Sequence, residues 1–197
     1  MKHRAVVWLD RDGTIVDDPG YLRDPEALRL LPGAGAAVSR LNAAGVTVVL
    51  VTNQSGIGRG LLTEHDLERV HQALRGRLAD QGAHLDAIRH CPHLPDHRLP
   101  AGQAPCACRK PRPGMIEAAR EDLAVGTPTP QFVVGDKPAD LELARNAGCR
   151  AVLVLTGEGR TTYRRHDAEA DHVATDVQGA VDWILAQLPL ADRGPSC

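Results

Sequence analysis

Short runs of aliphatic residues alternate with stretches whose apolar side chains return every three or four positions. This alternation restricts the fold more than any other feature of the chain. Residues 5–9, 46–51, 132–134 and 151–155 are the compact apolar runs, the second reading Val-Thr-Val-Val-Leu-Val, and residues 85–89 are a candidate for a further strand. Such runs read as strands buried on both faces. Between them, residues 33–44 carry Ala36, Ala37, Val38 and Leu41 on one helical side and stop at Gly45, while Leu67, Val70, Leu74 and Leu78 recur at helical spacing. Further helices are expected at residues 113–123, opened by Pro113, at 139–147 and at 177–188. The alternation predicts an α/β fold with a parallel sheet between helices. Residues 90–112 show no period and hold five prolines and three cysteines. Residues 1–188 read as one domain and residues 189–197 as a loose tail.

Ligands of such sheets sit at the carboxyl ends of the strands. The residues to inspect are therefore Asp10 to Thr14, Thr52 to Gln54, the segment 90–110, Gly135 to Lys137, and Thr156 with Gly157. Composition removes other classes. The net charge is -2 with no long basic block, which gives nucleic acid no electrostatic footprint. No apolar run approaches the ~18 residues of a membrane helix, and the first run is too short for a secretory leader. The chain has 20 arginines but three lysines, Lys2, Lys110 and Lys137. A lysine retained in such a chain suits a place where a compact point charge meets phosphate.

Asp10 and Asp12 follow the first strand and stand two residues apart, so a cation is needed to keep both ionised. Oxygen ligands of this kind suit Mg²⁺. Asp136 adds a carboxylate from another strand end, with Asp140 one helical turn on, and Lys110 and the pair Thr52-Asn53 add a cation and small polar groups. Together they describe a phosphoryl-transfer site in which metal and lysine neutralise oxygens while a carboxylate attacks. A calcium loop is excluded, because Ile15 and Tyr21 stand where such a loop needs Gly and Glu. The glycines at 56, 58 and 60 do not have dinucleotide-fingerprint spacing.

Cys91-x-His93 and Cys106-x-Cys108 supply three thiolates and an imidazole, a closed tetrahedral set for structural Zn²⁺. The metal would tie down the loop 91–108, and Arg109 and Lys110 follow it at once. Cys149 is expected as a small buried hydrophobe and Cys197 as a free tail thiol. An odd cysteine count beside a metal set indicates a reducing, cytoplasmic setting. Arg160, Arg164, Arg165 and His166 read as a solvated loop.

Taken in order, Asp10-x-Asp12-Gly-Thr14, Thr52, Lys110 and Gly135-Asp136-x3-Asp140 resemble the four motifs of the haloacid dehalogenase (HAD) superfamily of phosphatases. The runs Asp-Arg-Asp-Gly-Thr-Ile from Asp10 and Asn-Gln-Ser-Gly-Ile-Gly-Arg-Gly from Asn53 narrow the likeness. With the Cys/His loop ending in Arg109-Lys110-Pro111, they are similar to the D-glycero-D-manno-heptose 1,7-bisphosphate 7-phosphatases; histidinol-phosphate phosphatases are close relatives. The resemblance implies a Rossmann-like HAD fold without a separate cap domain, because the gaps between motifs are too short for one. It implies Asp10 as nucleophile, Asp12 as acid and base, and Thr52 and Lys110 stabilising the phosphoryl group. Mg²⁺ would be held by Asp10, Asp136 and the Asp12 carbonyl. Asp18, Gly20, Tyr21, Asn53, Gln54, Ser55, Arg109 and Lys137 would bind substrate, Arg109 suiting a second phosphate. The implied role is removal of the C7 phosphate of a heptose bisphosphate in nucleotide-activated heptose synthesis, by a cytoplasmic monomer with no membrane or nucleic-acid partner. A phospho-accepting receiver domain shares the sheet and an Asp, Thr and Lys around Mg²⁺. It lacks an acid/base two residues past the nucleophile and has no use for a four-ligand zinc loop.

Overall fold

The computed structural model describes residues 3–126, 128–166 and 169–189. Six parallel strands form one sheet: β1 (Val6–Leu9), β2 (Thr47–Asn53), β3 (Ala87–Cys91), β4 (Gln131–Gly135), β5 (Arg150–Val154) and β6 (His172–Ala174). Their spatial order is β3-β2-β1-β4-β5-β6. The chain runs outward from β1 through β2 and β3, then crosses back to β4 and continues the other way. The strand order therefore reverses between β1 and β4, where a crevice opens beyond their carboxyl ends. Asp10 leaves β1 and Asp136 leaves β4 at that point.

Each central strand is buried on both faces because its residues alternate between two cores. Val7 and Leu9 join Val48, Leu50, Phe132 and Val134 against α1 (Ala34–Ala43), α2 (Glu64–Ala79) and α6 (Val177–Gln187). Val6 and Trp8 join Val49, Val51 and Val133 against α3 (Gly114–Asp122) and α4 (Pro138–Ala147). The helices have explicit ends. Thr63 caps α2 by accepting from the Asp66 amide while Asp66 accepts from the Thr63 amide. Gly148 ends α4 in the left-handed region. Single 3-10 turns, Pro25–Ala27 and Asp96–Arg98, are the helical elements between β1 and α1 and between β3 and α3. No separate cap domain is inserted among the described residues.

Three expectations need correction. Thr52 and Asn53 do not follow the second strand; they end it, paired with His90 and Cys91 of β3. The run 159–166 is not a loop but helix α5 (Gly159–His166); its Arg160, Arg164 and Arg165 are exposed as expected, while Thr162 is buried beneath Asp136 and donates from Oγ1 to its carbonyl at 2.7 Å. Cys149 is half-buried rather than enclosed, with Arg120 Nη2 donating to its sulfur at 3.3 Å. Residues 190–197 of the expected tail, including Cys197, lie outside the described residues.

Candidate active site

The floor of the crevice is a cluster of carboxylates built around one ammonium. Lys110 is 5% exposed. Its Nζ lies 2.7 Å from Asp10 Oδ1 and 2.6 Å from Asp140 Oδ1, and donates to the Val51 carbonyl at 3.1 Å, so all three of its protons have acceptors. Burial alone would lower the Lys110 pKa, but the two carboxylates outweigh it and hold the ammonium charged. Asn53 places the lysine: its Oδ1 accepts from the Lys110 amide at 3.0 Å and its Nδ2 donates to the Lys110 carbonyl at 3.2 Å. This reciprocal pair fastens the end of the long loop to the end of β2.

Asp136 is fully buried, and its Oδ2 accepts from the Glu158 amide at 2.7 Å. Its Oδ1 is buried with no hydrogen-bond partner. Burial, then Asp10 and Asp140, push the Asp136 carboxyl up to about 8. Burial likewise raises Asp10. Ligand oxygens of Asp10, Asp136 and Asp140 lie within 4.8 Å of one another. Asp140 has both oxygens engaged, one on Lys110 and one on the Lys137 amide at the start of α4. Asp136 Oδ1 is a buried oxygen left for a cation, and buried carboxylates this close need one. The backbone leaves room for nothing larger: Gly13 has φ +82°, and a Cβ there would stand 2.4 Å from Asp136 Oδ2.

Asp12 is outside this cluster. Its carboxylate accepts from Arg11 Nε at 2.8 Å and Nη2 at 3.0 Å, and from Gln54 Nε2 at 2.8 Å. Gln54 Nε2 also reaches Thr52 Oγ1 at 2.8 Å. Asp12 lines both a chamber of about 50 Å³ with Asp10, Thr52, Lys110 and Asp140, and an open vestibule of about 450 Å³ with Tyr21, Ser55, Arg109 and Glu158. At the rim, Lys137 Nζ is 3.1 Å from Asp18 Oδ2 and 3.7 Å from Glu158 Oε1. Asp18 Oδ1 accepts from the Gly20 amide at 3.0 Å, and Arg109 Nη1 donates to the His93 carbonyl at 3.1 Å.

Beside the vestibule, Cys91, His93, Cys106 and Cys108 converge. Cys91 Sγ is 3.6 Å from Cys106 Sγ and 3.2 Å from Cys108 Sγ, and His93 Nδ1 is 3.2 Å from Cys108 Sγ and 3.5 Å from Cys91 Sγ. Ligands about 2.0–2.3 Å from a tetrahedral zinc stand roughly 3.5–3.8 Å apart, so the donor set suits that ion. Burial and the neighbouring Cys108 thiol push the Cys91 thiol up.

Residues 107–180 match the HAD-hydrolase-like family model. A D-glycero-D-manno-heptose-1,7-bisphosphate 7-phosphatase from Thermosynechococcus vestitus is 40% identical over 192 residues, spanning 94% of this chain and 97% of the relative. The corresponding D-glycero-beta-D-manno protein of Salmonella typhi is 37% identical over 195 residues, 96% of each. The crystal structure of D,D-heptose 1,7-bisphosphate phosphatase from B. bronchiseptica, complexed with magnesium and phosphate, has TM-score 0.82 and 38% identity, covering 92% of this chain and 98% of that one. The chain belongs to the D-glycero-D-manno-heptose 1,7-bisphosphate 7-phosphatase family.

For a member of this phosphatase family, the crevice gathers the residues singled out in the sequence into two neighbouring places. Asp10, Asp12, Thr52, Asn53, Lys110 and Lys137 surround the chamber; Asp18, Gly20, Tyr21, Gln54, Ser55 and Arg109 surround the vestibule. Sequence reasoning missed Arg11, His71 and Glu158. Glu158 directly follows Thr156-Gly157, a strand end marked for inspection, so that signal was present.

The metal-free protein is expected to lose stability as pH rises from 6.5 to 8. Folded Asp136 keeps its proton toward pH 8 whereas the unfolded chain releases it near 3.8, so the folded state binds more protons across this window. The loss should be about 1–2 kcal/mol. Urea melts in a chelator check it: magnesium should restore stability at pH 8, and Asp136→Asn should flatten the dependence. A flat wild-type profile would contradict the assignment.

Proposed function

We propose that the protein hydrolyses the C7 phosphate of D-glycero-D-manno-heptose 1,7-bisphosphate to heptose 1-phosphate through an aspartyl-phosphate on Asp10. The observation that carries this reading is the division of labour at the crevice: Asp10 is held against Lys110 on the chamber floor, while Asp12 stands apart with its carboxylate on Arg11 and Gln54. Asp10 supplies the oxygen that bonds to phosphorus as the bond to the sugar oxygen breaks. Asp12 gives its proton to that departing oxygen. In the second half, Asp12 takes a proton from the water that attacks phosphorus, and Asp10 is released with inorganic phosphate. Thr52 and Lys110 stabilise the phosphoryl oxygens during both transfers.

Magnesium, held by the Asp10 and Asp136 side chains and the Asp12 carbonyl, supplies Lewis-acid neutralisation of the phosphoryl group when bound. The orphaned Asp136 Oδ1 supports this placement. Asn53, Gln54, Ser55 and the segment Asp18 to Tyr21 frame the sugar, Lys137 faces it from the rim, and Arg109 meets the C1 phosphate. Zinc on Cys91, His93, Cys106 and Cys108 is structural in this reading, since four protein ligands leave no open position. Reduced thiols of this kind belong in the cytoplasm, and we read residues 1–188 as one domain acting as a monomer. No helix among the described residues is long and apolar enough to cross a membrane.

The deciding experiment compares kcat/KM for the α- and β-anomers of the heptose bisphosphate with that for histidinol phosphate. The bisphosphate is expected to be preferred by about 10-fold or more, since a charge-assisted contact to a second phosphate contributes roughly 1.5–3 kcal/mol. A tenfold preference for histidinol phosphate would overturn the assignment.

A further inference from the structure

Arg11 is fully buried, although it lies between two aspartates at the mouth of the sheet. Two features of the backbone put it there. Its carbonyl accepts from the amides of Thr14, Ile15 and Val16 at 3.3, 3.1 and 3.0 Å, which winds the chain into a tight turn straight after β1. The turn brings the side chains of neighbouring residues 11 and 12 side by side, where an extended chain would send them to opposite faces. The guanidinium then meets Asp12 with two donors, and its Nη1 lies 3.4 Å from Nε2 of His71, a buried residue of α2. Burial, then the Arg11 charge, lower His71 to about 3, so the ring is neutral and its Nε2 is free to accept. Arg11 is thus held from behind by α2.

An unheld Asp12 carboxylate would be drawn toward Lys110, the ammonium that pairs with Asp10 and Asp140. It does not join that cluster, and lines both cavities instead. We propose that Arg11, backed by His71, is a positioning residue that holds the Asp12 carboxylate clear of the metal cluster and on the leaving-group side of the chamber. The guanidinium suits this task because its planar fork binds both oxygens of one carboxylate, which an ammonium cannot do. The inference rests on the reading of Asp12 as the acid that protonates the sugar oxygen.

The test uses leaving groups. p-Nitrophenolate departs without a proton, whereas a sugar alkoxide needs one. Arg11→Met is expected to lower kcat/KM for the heptose bisphosphate by about 10²-fold, the usual cost of misplacing a catalytic group by an ångström, and that for p-nitrophenyl phosphate by less than about threefold. Arg11→Lys should recover part of the loss. Equal losses on both substrates, or none on either, would overturn the inference. If Arg11→Met does not fold, His71→Leu should show the same selectivity at about tenfold, and His71→Gln, which keeps an acceptor, should remain near wild type; the absence of that contrast counts against the proposal. Asp12→Asn separates the two layers. If it lacks the leaving-group selectivity, the acid role falls and the inference falls with it. If it shows the selectivity and Arg11→Met does not, only the inference fails.

Discussion

Asp10→Asn is expected to reduce turnover by about 10⁴-fold or more, the scale on which removing a covalent nucleophile usually acts. The variant keeps nearly the same volume in a site that is 3% exposed, so sterics do not explain the loss. What changes is chemistry. An amide oxygen is a poor nucleophile toward phosphorus, and the amide nitrogen gives Lys110 no acceptor if it replaces Oδ1 at 2.7 Å. The folded protein should not suffer. Burial and Asp140 raise the Asp10 pKa, so in the metal-free state its charge opposes folding, and the neutral amide relieves that opposition. Two measurements together check this: steady-state kinetics should show activity lost, and thermal melts in a chelator at pH 8 should show the midpoint unchanged or raised. Asp12→Asn supplies the counterpart: given p-nitrophenyl phosphate, whose leaving group needs no proton, it should accumulate protein heavier by one phosphoryl group, which Asp10→Asn cannot form. A phosphorylated Asp10→Asn protein, or turnover within tenfold of wild type, would remove Asp10 from the nucleophile's place.

Legibility in the sequence followed how local the physical cause was. The apolar runs that became β1, β2, β4 and β5 announce themselves because a strand buried on both faces has no polar interruptions. Their ends mislead where polar residues continue to pair: Thr52 and Asn53 belong to β2 because His90 and Cys91 lie alongside them, which no local pattern reveals. β6 has three residues at the sheet edge, and α5 reads Gly-Arg-Thr-Thr-Tyr-Arg-Arg-His, too polar and too short to show a period. Asp10 and Asp136 could be picked out because they directly follow apolar runs, and the Cys/His spacing because such sets have few other uses. Arg11 lies in the strand end Asp10 to Thr14, but nothing local gives it a role, and His71 carries no signal at all. A charged residue next to Asp10 looks like a solvated loop residue until the turn after β1 buries it, and its histidine partner comes from α2, 60 residues away.

Removing the proposed zinc, by Cys106→Ser or Cys108→Ser, is expected to damage substrate affinity far more than the chemical step. The loop 91–108 has little apolar surface of its own to bury; Leu94 and Leu99 are half-exposed, and most of its other residues are polar, Pro or Gly. Ordering such a segment needs an external source of free energy, and a structural zinc supplies about 10–16 kcal/mol. The two cations that follow the loop differ in how they depend on it. Lys110 is fastened independently, by both Asn53 bonds and by its contacts to Asp10, Asp140 and Val51. Arg109 instead bonds to the carbonyl of His93, itself one of the four converging residues. Loss of the metal therefore frees Arg109 while leaving Lys110 in place. A freed charge-assisted contact corresponds to roughly 1.5–3 kcal/mol, so KM for the bisphosphate should rise about 10- to 100-fold while kcat stays within about fivefold. A sugar monophosphate lacking the second phosphate should be nearly indifferent. Kinetics on both substrates, with zinc content measured on the same samples, decide the matter. A collapse of kcat at unchanged KM would mean that the loop holds Lys110 rather than Arg109. Full activity in zinc-free protein would mean that the cysteine cluster has no part in shaping the vestibule.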